Sequence, residues 1–165
     1  MIGVGDPAPD LRLHPVFGLP VDLARGPRVL AFFPALDTTA TRATIAALET
    51  ALPRFDPAGI AVLGIARGRL HEARDFVPRH HVLFPVVIDE PGICFEAFGV
   101  PRRAAGLLRP GGPLAALRAW RAGAPFDQLP AWVVVGADGR VRFARMGRTV
   151  MDQPDIETLW NAATH

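Results

Sequence analysis

The sequence contains no lysine, no tyrosine and a single cysteine, Cys94. One cysteine cannot form an intramolecular disulfide, and a lone thiol fits a reducing compartment. All 18 basic residues are arginines, set against 16 acids, so the net charge is only +2. The arginines are scattered, with small clusters at Arg102–Arg103 and Arg140–Arg148. Nucleic-acid binding asks for a concentrated basic face, so no nucleic-acid partner is expected. No apolar run approaches the roughly 18 residues of a membrane span. The start, MIGVGDPAPDLRL, lacks a basic stretch followed by an apolar one, which argues against a secretory signal. The expectation is a cytoplasmic protein with no membrane partner. Metal-ligand spacing is also missing. His80 and His81 are neighbours, His71 precedes them, and no second ligand cluster accompanies them, so neither a metal nor a cofactor is expected. There is no phosphate-binding glycine loop and no nucleophile elbow.

What is present is a chain built to make a core. Half of its 165 residues are hydrophobic. This is the usual size of one domain, and residues 1–165 are read as one. A chain of this length buries roughly 70 % of its unfolded surface, so it needs no metal or disulfide to fold. Val29–Phe33 (VLAFF) is a continuous apolar run, as suits a strand covered on both faces, and Pro34 ends it. Asp37, Thr38 and Thr39 offer caps for a helix. Ile45, Leu48, Leu52 and Phe55, with Ala47 and Ala51, form its inward stripe. Pro53 is expected to kink or end it. Ile60–Ala66 and Phe84–Ile88 read as further buried strands, with a short helix over His71–His80 between them. Asp89 or Glu90 caps another short helix running to Phe98, and Gly99 sits where a left-handed C-terminal residue belongs. Trp132–Val135, the turn Ala137-Asp138-Gly139-Arg140 and Val141–Arg145 form a hairpin. Asp152–Asp155 opens a last helix that packs Ile156, Leu159 and Trp160 inward. Residues 101–128 show no period and read as an inserted loop, with a helical turn around Leu114–Trp120. The alternating first half implies parallel strands, and the hairpin adds an antiparallel edge. The fold class is α/β, a mixed central sheet flanked by helices.

Several segments resemble one family in order. They are Val4-Gly5-Asp6-Pro7-Ala8-Pro9-Asp10, Phe32-Phe33-Pro34-Ala35-Leu36-Asp37-Thr38, Val62-Leu63-Gly64-Ile65, Phe84–Asp89 with Ala97–Val100, and Val133–Val141. The chain resembles the alkyl hydroperoxide reductase/thiol-specific antioxidant family, in the peroxiredoxin branch of the thioredoxin superfamily. The resemblance covers most of the chain except residues 101–128. It implies a thioredoxin-like fold with the peroxiredoxin-type elaboration. The family's active-site pattern is P-x-x-x-T-x-x-C. Pro34 and Thr38 match its first two positions, and the cysteine position falls on Thr41. The family also places an arginine ahead of the strand before the hairpin. The aligned stretch here is Gln128–Trp132, whose Pro130 is similar to the cis-proline that thioredoxin relatives carry beside the active site.

The chemistry of that family depends on sulfur. A thiolate attacks the peroxide oxygen and becomes a sulfenic acid. A threonine hydroxyl is far less acidic and has no such oxidation ladder. The relic active-site pocket of Pro34, Thr38, Thr41 and Pro130 is therefore expected to lack thiol peroxidase chemistry. Two readings of its threonines stay open: a cradle for a small polar ligand at a helix N-terminus, or plain capping. Cys94 is the one remaining candidate for catalysis, and a buried core cysteine is its competing reading. Three functions follow: a binding or regulatory module without peroxidase activity, a thiol-dependent peroxide reductase using Cys94, or an oligomeric interaction module. Relatives commonly form dimers, so a homodimer is expected, with Trp120 and Phe126 as natural contacts.

Overall fold

The computed structural model describes residues 1–102 and 128–165. A short antiparallel pair, β1 (Arg12–Leu13) and β2 (Val21–Asp22), comes first. It is followed by β3 (Arg28–Phe33), α1 (Thr39–Phe55), β4 (Ala61–Ala66), α2 (Leu70–Arg79), β5 (Val86–Ile88) and α3 (Ile93–Ala97). After the undescribed segment come β6 (Ala131–Val135), β7 (Val141–Met146) and α4 (Ile156–Thr164). The helical turn expected over Leu114–Trp120 and the contacts expected of Trp120 and Phe126 lie outside the described residues. The ends of that segment meet. Arg102 pairs with Gln128 in an isolated bridge, and the buried Gln128 side chain donates to the Pro101 carbonyl at 3.2 Å.

The main sheet has the order β5-β4-β3-β6-β7. β3, β4 and β5 run parallel, and β6 and β7 are antiparallel additions. This is the mixed α/β sheet expected from the sequence. The β1–β2 pair was not legible as strands, because two-residue strands carry no periodicity. Alternation along β3 divides the core in two. Val29, Ala31 and Phe33 face α1, α2 and α4, together with Ile45, Leu48, Phe55, Phe76 and Leu159. Leu30 and Phe32 face the other way and pack with Ile65, Cys94, Phe95 and Phe98. Phe32 meets the Phe95 ring edge-on with centroids 5.1 Å apart. No helix among the described residues is long and apolar enough to cross a membrane.

Helix ends follow local chemistry with one correction. Pro53 does not stop α1, which runs on to Phe55. The proline sits in the last turn, where it removes a single intrahelical bond, and the Asp56 amide still closes on the Leu52 carbonyl. Gly99 has φ +64°, the left-handed conformation expected after α3. The third strand is shorter than expected, since Phe84 and Pro85 precede it and a proline cannot donate to a ladder.

Asp89 organises the α3 end of the sheet. Its carboxylate is 4 % exposed and accepts from the amides of Gly92 at 3.1 Å, Cys94 at 2.8 Å and Phe95 at 3.0 Å. Three donors that begin a helix are satisfied by one side chain from the preceding strand end. Replacing Asp89 by Ala takes the carboxylate from all three; Gly92 keeps the Asp89 backbone carbonyl at 3.1 Å, while the Cys94 and Phe95 amides lose this partner. We expect Asp89→Ala to lower unfolding free energy by about 3 kcal/mol in urea titrations. A loss below about 1 kcal/mol would contradict this role.

Candidate functional site

The loop between β3 and α1 carries the residues that match the family's active-site pattern. Phe33 is the last ladder residue, and Pro34 turns the chain out of the sheet. Thr38 is the N-cap of α1, with extended backbone at φ −122° and ψ 154°. Its Oγ1 accepts from the Thr41 amide at 3.1 Å and its hydroxyl donates to Thr41 Oγ1 at 3.0 Å. Thr41 in turn donates to the Ala35 carbonyl at 2.6 Å. Thr41 is 3 % exposed. Its hydroxyl is therefore turned into the loop and fully partnered. Of the two readings the sequence left open for these threonines, capping is the one this geometry realises. Asp37 pairs with Arg42 at 2.5 Å outside the turn.

Pro130 is buried immediately before β6. Phe32 pairs with Ala131, so the next register step sets Pro130 beside Phe33, where the chain enters the Pro34 loop. The structure thus brings Pro34, Thr38 and Thr41 together and sets Pro130 at the adjacent strand end. The likeness of Pro130 to a cis-proline does not extend to its peptide bond. Among the described residues the cis peptide is Gly26–Pro27, so the bond before Pro130 is trans. The Pro130 carbonyl accepts from the Gly147 amide at 2.8 Å. A Cβ at Gly147 would come within 2.8 Å of the Pro130 ring, which accounts for the glycine.

Gln153 completes this end of the molecule and was not singled out in the sequence. It accepts from the Thr44 hydroxyl at 2.9 Å and donates to the Ala40 carbonyl at 3.2 Å. One side chain from the segment before α4 thereby ties down the first turns of α1. The pairing spans more than a hundred residues of sequence, so no local pattern could announce it.

Cys94 lies elsewhere. α1 covers the sheet face of Val29, Ala31 and Phe33, whereas Cys94 sits under the opposite face among Phe32, Ile65 and Phe98. It is 2 % exposed. Burial pushes its thiol up to about 12, and the negative charge of Asp89 adds to the rise. A group so placed stays a thiol at neutral pH and cannot reach the Thr41 position. A groove lined by Val21, Arg28, Leu52 and Leu83 lies at the opposite end of β3 from the Pro34 loop.

Comparison with known proteins agrees with the architecture. No curated protein matches the chain in sequence. Among solved structures, it is similar to a cysteine-to-serine mutant of PrxQ from Xylella fastidiosa, with 18% identity and a TM-score of 0.74 over 98% of this chain and 94% of that one. It is similar to the peroxidoxin BcpB of Mycobacterium tuberculosis, with 20% identity and a TM-score of 0.70 over 92% and 90% of the two chains. It is also similar to a secreted disulfide oxidoreductase of Mycobacterium tuberculosis homologous to E. coli DsbE, with 19% identity and a TM-score of 0.60 over 93% of each chain. At these identities the likeness speaks for the fold alone, a thioredoxin-type fold shared by peroxiredoxins and disulfide oxidoreductases. The sequence model of the AhpC/TSA family matches residues 4–144, and the chain belongs to that family.

Proposed function

We propose that this AhpC/TSA family member does not reduce peroxide through a thiol and serves instead as a binding or regulatory module. The observation that carries the reading is Thr41 at the cysteine position, with its hydroxyl committed to the Ala35 carbonyl at 2.6 Å. Peroxide reduction needs a nucleophile that ionises near neutral pH and can accept an oxygen atom. Thr41 offers neither property. Cys94 has the right element in the wrong environment, being buried and held protonated. A cytoplasmic location belongs to the same proposal, since one cysteine gains nothing from an oxidising compartment.

The test is hydrogen peroxide consumption by the purified protein with a dithiol reductant. We expect no turnover above the reductant's own background, and the same trace from Cys94→Ser. Robust turnover that Cys94→Ser abolishes would overturn the proposal and favour a peroxidase that uses Cys94.

The state of Cys94 has a second consequence, visible at alkaline pH. Its thiol is raised from an ordinary 9.0 to about 12 in the folded protein. Between these values the folded chain holds a proton that the unfolded chain has released. The contribution to stability is therefore complete below about pH 9 and is lost as pH rises toward 12. The chain has no lysine or tyrosine, so no other side chain of ordinary pKa titrates in that window. Denaturant titrations should show wild type losing about 1 kcal/mol per pH unit there, with Cys94→Ala nearly flat. Equal slopes in the two proteins would contradict the burial of the thiol.

A further inference from the structure

The C-terminal ends of β4 and β5 bring two arginines together that share no carboxylate among the described residues. Arg67 follows β4, and its Nη1 donates to the carbonyls of Asp89 at 2.6 Å and Glu90 at 2.8 Å. Its guanidinium lies against Gly92, which has φ +85°. A Cβ on Gly92 would stand 2.6 Å from Arg67 Nη1 and 3.6 Å from Arg102 Nη2. Those two nitrogens are thus at most about 6 Å apart. Gly92 suits this approach: its left-handed backbone strains any other residue, and a Cβ there would push the Arg67 guanidinium aside.

Among the described residues no acid forms an ion pair with either arginine. Asp89 directs its carboxylate to the amides of Gly92, Cys94 and Phe95. Glu90 is exposed. Every ion pair found among the described residues joins other arginines: Arg25, Arg42, Arg54, Arg79 and Arg142. Two like charges this close repel each other. An anion between them removes the repulsion, and planar guanidinium forks match the oxygens of phosphate. The position also fits, since ligands of open α/β sheets bind outside the carboxyl ends of the parallel strands.

We propose that Arg67 and Arg102 form a binding site for a small phosphate dianion, either free phosphate or a phosphomonoester. The site takes no side chain from the Thr41 loop and does not depend on how that loop is read. Arg67 positions one guanidinium by anchoring it to the Asp89 and Glu90 carbonyls. Arg102 is exposed and supplies the second from the chain beyond α3.

The experiment is calorimetric titration of the full chain with inorganic phosphate, with ionic strength held constant by sodium chloride. Saturable one-site binding is expected. Arg102→Gln should weaken it about tenfold or more, while Arg54→Gln, on another surface, should leave it unchanged. Arg67 also fastens a loop, so Arg102→Gln is the deciding variant. A parallel titration with glycerol phosphate separates the two sources: tighter binding than phosphate assigns the site to phosphomonoesters, weaker binding to the free ion. Heats no larger than those of matched chloride, or unchanged binding in Arg102→Gln, would overturn the proposal.

Discussion

A chain of two hydroxyls closes the turn from β3 into α1. Thr38 donates to Thr41, and Thr41 donates to the carbonyl of Ala35. The turn must be tight, because Phe33 is still in the central ladder and Thr39 is already helical. The Thr41 amide is capped by Thr38 at the same time, so both ends of the short loop are fixed by one pair of side chains. Threonine serves this purpose well: it is small, β-branched, and has one proton to give. The same commitment holds the Thr41 hydroxyl on the Ala35 carbonyl.

The sheet then keeps the only sulfur nucleophile away from that turn. Residues on β3 alternate, so α1 and α3 rest on opposite faces. Cys94 is bound to the α3 face by its place in the helix and by the bond from its amide to Asp89. The carboxylate that secures the helix also disfavours a thiolate beside it. Asp89 thus adds to the rise of the Cys94 thiol that burial chiefly causes. An exposed, ionised Cys94 would require α3 to leave its cap and Phe95 to leave Phe32.

Much of the fold was legible in the sequence because it rests on short-range signals. Continuous apolar runs gave β3, β4 and β6, and Asp138-Gly139 gave the turn of the β6–β7 hairpin. Thr38 was legible as a cap by its position after Pro34 and before the apolar stripe of α1. The direction of the Thr41 hydroxyl was not legible, since both a ligand cradle and a cap begin with the same residues. What decides between them is the approach of the Ala35 carbonyl. Gln153 and Arg67 were missed for a related reason. Each acts on backbone groups distant in sequence, and nothing in its own neighbourhood marks it. Pro130 resembles a cis-proline by context, yet the antiparallel run of β6 beside β3 accepts a trans bond there.

The proposed lack of thiol chemistry depends most on Cys94 being a closed, protonated core residue. Alkylation by iodoacetamide at neutral pH, followed by mass spectrometry, tests this directly. The native protein should remain unlabelled over a time in which the protein unfolded in guanidinium takes up one label. Labelling of the native protein at the rate of a free thiol would contradict the account and return the protein to the thiol enzymes of its family.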